Sequence, residues 1–98
     1  MLIHSVYFWL KPELTPEQLT DFERGLQFLR TIETVHAAYI GIPAASDRPV
    51  VDAGYTYALV FDLGDQQGHD AYQEHPIHLA FVEKFKPYWT QIKVYDVI

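Results

Sequence analysis

Tyr72, His75, Pro76 and His78 fall within one short stretch of the chain, and they are the residues best suited to chemistry. Imidazole changes charge near neutral pH, and a phenol stays protonated there and donates a hydrogen bond. Paired, they can remove a proton next to a carbonyl and stabilise the charge that develops on its oxygen. Pro76 has a fixed φ and no N–H, so it belongs in the first turn of a helix, which the pattern predicts to run to about Tyr88. His75 then sits at or near the N-cap, which makes it a capping or packing residue before it is a ligand. His78 lies in the first turn on the same face as Phe81, Val82 and Phe85, an apolar face that points it inward. There the positive end of the helix dipole disfavours imidazolium and keeps the ring basic. A plainer reading has His78 and Tyr72 bonded to each other or to backbone, tying two helices together, or touching a ligand without catalysis.

His75 and His78 also raise the question of a metal. Such a site needs a third ligand, and two residues astride a helix start need not share a face, so no metal is expected. His4 alternates onto a strand face with Val6 and Phe8, where a histidine is either a satisfied core group or part of a pocket. His36 and His69 carry no argument beyond polarity. Neither a glycine-rich phosphate loop nor a nucleophile elbow is present, and no cofactor is expected.

The elements that must position these residues follow from periodicity. Ile3 to Leu10 alternates as a strand with His4, Val6, Phe8 and Leu10 on one face and Ile3, Ser5, Tyr7 and Trp9 on the other. Thr15, Pro16 and Gln18 form a helix start with a capping box, and Leu19, Phe22, Leu26, Leu29 and Ile32 make the inward stripe of a helix reaching about Ile32. Val35 to Ile42 and Tyr55 to Leu63 read as strands separated by a loop from Pro43 to Gly54, with Tyr55, Tyr57, Leu59, Phe61 and Leu63 on one face of the latter. Asp65 caps a short helix to about Gln73, and Lys93 to Ile98 closes the chain as a fourth strand. Strand, helix, strand, strand, helical segment, strand is the split βαβ or ferredoxin-like α+β pattern, a four-stranded antiparallel sheet with helices on one face.

Ninety-eight residues make a single domain, spanning residues 1–98, with one modest core. With 49% hydrophobic and 15% aromatic residues, that core cannot hide all the apolar surface. Strands one and three are apolar on both sides, so the face away from the helices is expected to pack on a second copy, sheet against sheet. Tyr7, Trp9 and Tyr95 read as core or interface aromatics rather than as stacking groups for a flat cofactor. A net charge of −6 with scattered basic residues excludes a phosphate-backbone partner and disfavours anionic membranes. There is no apolar run of about eighteen residues and no leader-like start. The lack of cysteine removes disulfides and thiolate metal sites, and fits a cytoplasmic protein.

Several of these residues together resemble the stress-responsive A/B barrel domain family, within the wider group of dimeric α+β barrels. The likeness covers nearly the whole chain. It rests on His4 before Val6 and Phe8, the proline-initiated first helix, Arg48, Pro49 and Val50 followed by Gly54, Tyr55 and Tyr57, and above all Tyr72, His75, Pro76 and His78 with Phe81 and Val82 after them. The resemblance implies a homodimer and a cavity between sheet and helices. Tyr72 and His78 match the tyrosine and histidine with which a plant relative, olivetolic acid cyclase, closes a linear polyketide without a cofactor, and His4 matches another pocket histidine. In this chain the cavity would then be lined by His4, Val6, Phe8, Phe22, Leu26, Phe81, Phe85 and Trp89 and would take a small apolar or aromatic oxo compound. Cyclisation, isomerisation or lyase chemistry follows, with His78 as base and Tyr72 as hydrogen-bond donor. Against it stand a non-enzymatic stress-response protein acting through its assembly and, from the wider superfamily alone, a monooxygenase or haem-degrading enzyme.

Overall fold

The computed structural model describes residues 1–98, in the order β1 (Ile3–Leu10), α1 (Pro16–Leu29), β2 (Ala37–Gly41), β3 (Tyr57–Asp62), α2 (Gln66–Glu74), α3 (Pro76–Phe85), a 3-10 turn (Lys86–Tyr88) and β4 (Trp89–Val97). The strands form one sheet in the order β2-β3-β1-β4 with every neighbouring pair antiparallel, the ferredoxin-like arrangement expected. β1 is central and alternates strictly between buried and half-buried residues. Its register sets Val6 opposite Leu59 of β3 and Val94 of β4, and His4 opposite Phe61 and Asp96. Even-numbered β1 residues thus share the helix-covered face with Phe22, Leu26 and Leu29 of α1, and together they make the core. Each such side chain contributes roughly 1.5–3 kcal/mol by leaving water.

Local chemistry fixes where the helices begin. Thr15 accepts from the Gln18 N–H while the Gln18 side chain accepts from the Thr15 N–H, a complete capping box, and Pro16 supplies the first helical residue. α1 ends at Leu29, three residues before the predicted Ile32, because the Thr31 hydroxyl donates to the Phe28 carbonyl at 2.7 Å and caps the last turn. Ile32 is buried all the same.

The other strand ends shift too. β2 loses Val35, His36 and Ile42, and β3 runs from Tyr57 to Asp62 rather than from Tyr55 to Leu63. Tyr55 therefore leaves the face of Tyr57 and Leu59: its ring packs 5.1 Å from Tyr7 and 6.2 Å from Trp9, on the side away from the helices. β4 starts at Trp89, four residues before the predicted Lys93, since the 3-10 turn ends as Tyr88 accepts from the Lys11 N–H and Leu10 pairs with Trp89. α3 stops at Phe85, and the predicted remainder is that tighter turn.

Candidate active site

α2 and α3 meet at His75, which closes one helix and caps the next. Its Nδ1 accepts from the Ile77 N–H at 3.1 Å and its Nε2 lies 3.2 Å from Glu33. Both nitrogens are thus used at the surface of the helix junction, and His75 takes no part in the cavity described next.

From that junction α3 carries His78 inward. The His78 Nδ1 lies 3.1 Å from the Gln73 carbonyl. A carbonyl can only accept, so Nδ1 carries the proton and Nε2 keeps the lone pair. Burial holds the His78 pKa below its ordinary value; the Gln73 carbonyl opposes this and the nearby His4 and His69 reinforce it. Desolvation is the main reason this ring stays neutral. Tyr72, 1% exposed, stacks at a tilt with its ring centroid 4.7 Å from that of His78. Burial raises the Tyr72 pKa above its ordinary value, so the phenol remains a donor at neutral pH.

β1 supplies the third group. His4 is 2% exposed and, with the Tyr72 phenol, is one of two polar side chains in the buried set. Its Nδ1 donates to the Asp96 carboxylate of β4 at 2.5 Å, and its ring centroid stands 5.5 Å from Tyr72. Burial lowers the His4 pKa against the raising effect of the Asp96 hydrogen bond and charge, and His69 lowers it further. Asp96 is the residue that sequence reasoning missed. The pairing of β1 with β4 would have found it, because His4 and Asp96 are register partners.

A cavity of about 210 Å³ opens between sheet and helices, and His4, Val6, Phe8, Tyr72, His78, Phe81 and Trp89 of the expected set line it. Leu29, Leu59, Gln73, Val82, Ile92 and Val94 complete its wall. Phe22, Leu26 and Phe85, expected in the lining, lie outside it. Phe22 and Leu26 are fully buried in the core, and Phe85 instead borders an outer groove between α1 and α3. The reason is packing: the Phe22 ring fills the space among Phe8, Phe81 and Phe85 at centroid distances of 5.2, 5.7 and 5.3 Å. Ile92 and Val94, 38% and 49% exposed, form the rim on the β4 side. The result is an apolar hollow with a neutral imidazole, a phenol and a carboxylate-bound imidazole at its polar end.

The sequence matches the stress responsive A/B barrel domain over residues 2–98. This chain belongs to that family. No protein with a curated functional description matches this A/B barrel chain. Solved structures with the same fold include hydroxynitrile lyase from Passiflora edulis, 21% identical with TM-score 0.83, covering 99% of this chain and 91% of that one. A family member from Mesorhizobium loti with a ferredoxin-like fold is 24% identical at TM-score 0.80, over 99% and 94% of the two chains. A dimeric ferredoxin-like protein of unknown function from Thermobifida fusca is 25% identical at TM-score 0.79, over 98% and 88%.

Proposed function

We propose that this A/B barrel protein is a homodimer that binds a compact oxo compound and moves a proton on it without a cofactor, in a cyclisation, isomerisation or lyase step. His78 is the base through Nε2, Tyr72 donates to the oxygen on which charge develops, and His4 with Asp96 polarises the same end of the hollow. One observation carries this reading: the Gln73 carbonyl fixes the proton of His78 on Nδ1, so the free lone pair belongs to a neutral ring that borders a cavity beside a protonated phenol. That the Passiflora edulis lyase shares the fold supports lyase-type chemistry on such a frame. The cavity is below the roughly 300–1,000 Å³ usual for larger ligands, which favours a small substrate. The aromatic sheet face away from the helices, with Tyr7, Tyr55 and Tyr95 packed edge to face, supports pairing with a second copy, as in the dimeric Thermobifida fusca protein.

The test is exchange of α-protons in heavy water, followed by proton NMR, on a panel of small β-dicarbonyl compounds and aryl ketones. The wild type accelerates exchange of at least one of them. His78→Ala lowers the rate by about 10²–10⁴-fold, as expected for loss of a general base. Tyr72→Phe lowers it by about 10²-fold, in the range for a lost oxyanion donor. Wild-type rates equal to buffer across the panel, with all variants folded, overturn the catalytic reading in favour of an assembly-only protein.

A further inference from the structure

Three elements bring His4, which lines the cavity, together with His69 and Asp96, with one donor atom from each lying within 4.8 Å of the others. We propose that these three residues bind a divalent transition-metal ion, Zn²⁺ foremost, and leave a fourth position to water or a small ligand. The proposal takes over the His4–Asp96 pair of the proton-transfer reading and needs neither His78 nor Tyr72.

The argument begins with His69. Its Nδ1 lies 3.1 Å from the Asp70 carboxylate, which also accepts from the Gln66 amide at 2.9 Å. His69 Nδ1 also lies 3.3 Å from the Gln66 amide nitrogen; in the tautomer that gives its proton to Asp70, the lone pair is on Nε2. In that tautomer the lone pair faces Asp96 Oδ2 at 3.5 Å, acceptor against acceptor. A cation between them satisfies both. An outer carboxylate that orients a histidine by its far nitrogen is also the usual support of a metal ligand.

Geometry agrees. Donors about 2.0–2.2 Å from a tetrahedral zinc ion stand about 3.3 Å from one another. The His69–Asp96 separation of 3.5 Å is already close to that. His4 Nδ1 and Asp96 Oδ1, at 2.5 Å, must part by about 0.8 Å. Asp96 has that freedom, since its side chain is 37% exposed near the end of an edge strand. For His4 the cost is a change of tautomer, from Nδ1–H to Nε2–H. Two imidazoles with one carboxylate select zinc and its neighbours over calcium and magnesium, which prefer oxygen. His75, which the sequence alone pairs with His78, lies outside this cluster.

The experiment titrates chelator-treated protein with Co²⁺, read by visible d–d absorption, and with Zn²⁺, read by calorimetry. One ion per chain is expected, with the intense spectrum of a four-coordinate site. His69→Ala and Asp96→Asn each weaken binding at least about tenfold, Asp70→Asn weakens it by about tenfold through the lost support of His69, and His75→Ala leaves it unchanged. His69 and Asp70 are not core residues, so their variants remain folded even if a change at His4 does not. No saturable Co²⁺ spectrum, or binding in His69→Ala equal to wild type, overturns the site. Proton exchange in chelator-treated protein reads the catalytic proposal separately, so the two can fail independently.

Discussion

At the scale of single residues, His78 and His4 are the groups whose ionisation the fold resists. Both have pKa values below the ordinary histidine value in the folded state, mainly through burial. The unfolded chain therefore binds more protons than the native one as pH falls through the ordinary histidine range, and stability must drop with it. Thermal melts should show a lower Tm at pH 5 than at pH 7.5. His78→Gln, which keeps the shape and removes the titration, should flatten that difference, and an unchanged pH dependence in this variant would argue that other groups dominate. The acid limb of any His78-dependent rate is expected below the ordinary histidine pKa, in the direction that burial dictates. His78 itself was legible in the sequence from its offset to Pro76 and Phe81. Its tautomer was not, because the Gln73 carbonyl that fixes it lies across the break between two helices.

Among the elements, the chain's punctuation was readable where it is local. The Thr15–Pro16–Gln18 start of α1 and the His75–Pro76 start of α3 use side chains that bond their own neighbouring backbone, so sequence suffices. The turn from β3 into α2 is as local, and only a glycine takes its backbone without strain. Gly64 has φ of 84°, a conformation that costs an L-residue about 1–2 kcal/mol. Any Cβ there would also come within 2.7 Å of the His36 ring. Gly64→Ala should therefore destabilise by about 1–2 kcal/mol in urea unfolding with an unchanged m value. By contrast Thr15→Ala should cost about 1 kcal/mol, the usual worth of an N-cap. Equal stability of Gly64→Ala and wild type would mean that the turn relaxes to another conformation. The start of β4 was misplaced because Trp89 to Ile92 join a strand through pairing with β1, a contact distant in sequence.

For the whole molecule, the consequence lies on the sheet face that the helices leave open. Tyr7, Trp9, Tyr55, Lys93 and Tyr95 border a hollow of about 310 Å³ there, with Lys93 Nζ 5.5 Å from the centroid of the Trp9 ring. So aromatic a face on a small domain is the kind of surface that pairs with another. Under the dimer proposed above, light scattering should give twice the mass of one chain, and Tm should rise with protein concentration. Tyr95→Glu, which places charge on this face, should yield the single-chain mass and a Tm independent of concentration. A dimer that persists in Tyr95→Glu at low concentration would move the interface elsewhere. No helix of the chain is long and apolar enough to cross a membrane.

What the sequence determined by itself was the order of elements, the helix starts and the inward faces of β1, α1 and α3, because periodicity and capping are interactions among near neighbours. It also pointed to Tyr72 and His78, through the resemblance of the Tyr72–His75–Pro76–His78 stretch to the A/B barrel family. Only the tertiary structure decided that Asp96 holds His4, that His69 joins them, and that Phe22 and Leu26 fill the core instead of lining the cavity. Each of those outcomes depends on strand register and ring packing between segments tens of residues apart, where the deciding quantity is a distance in space that no local spacing contains.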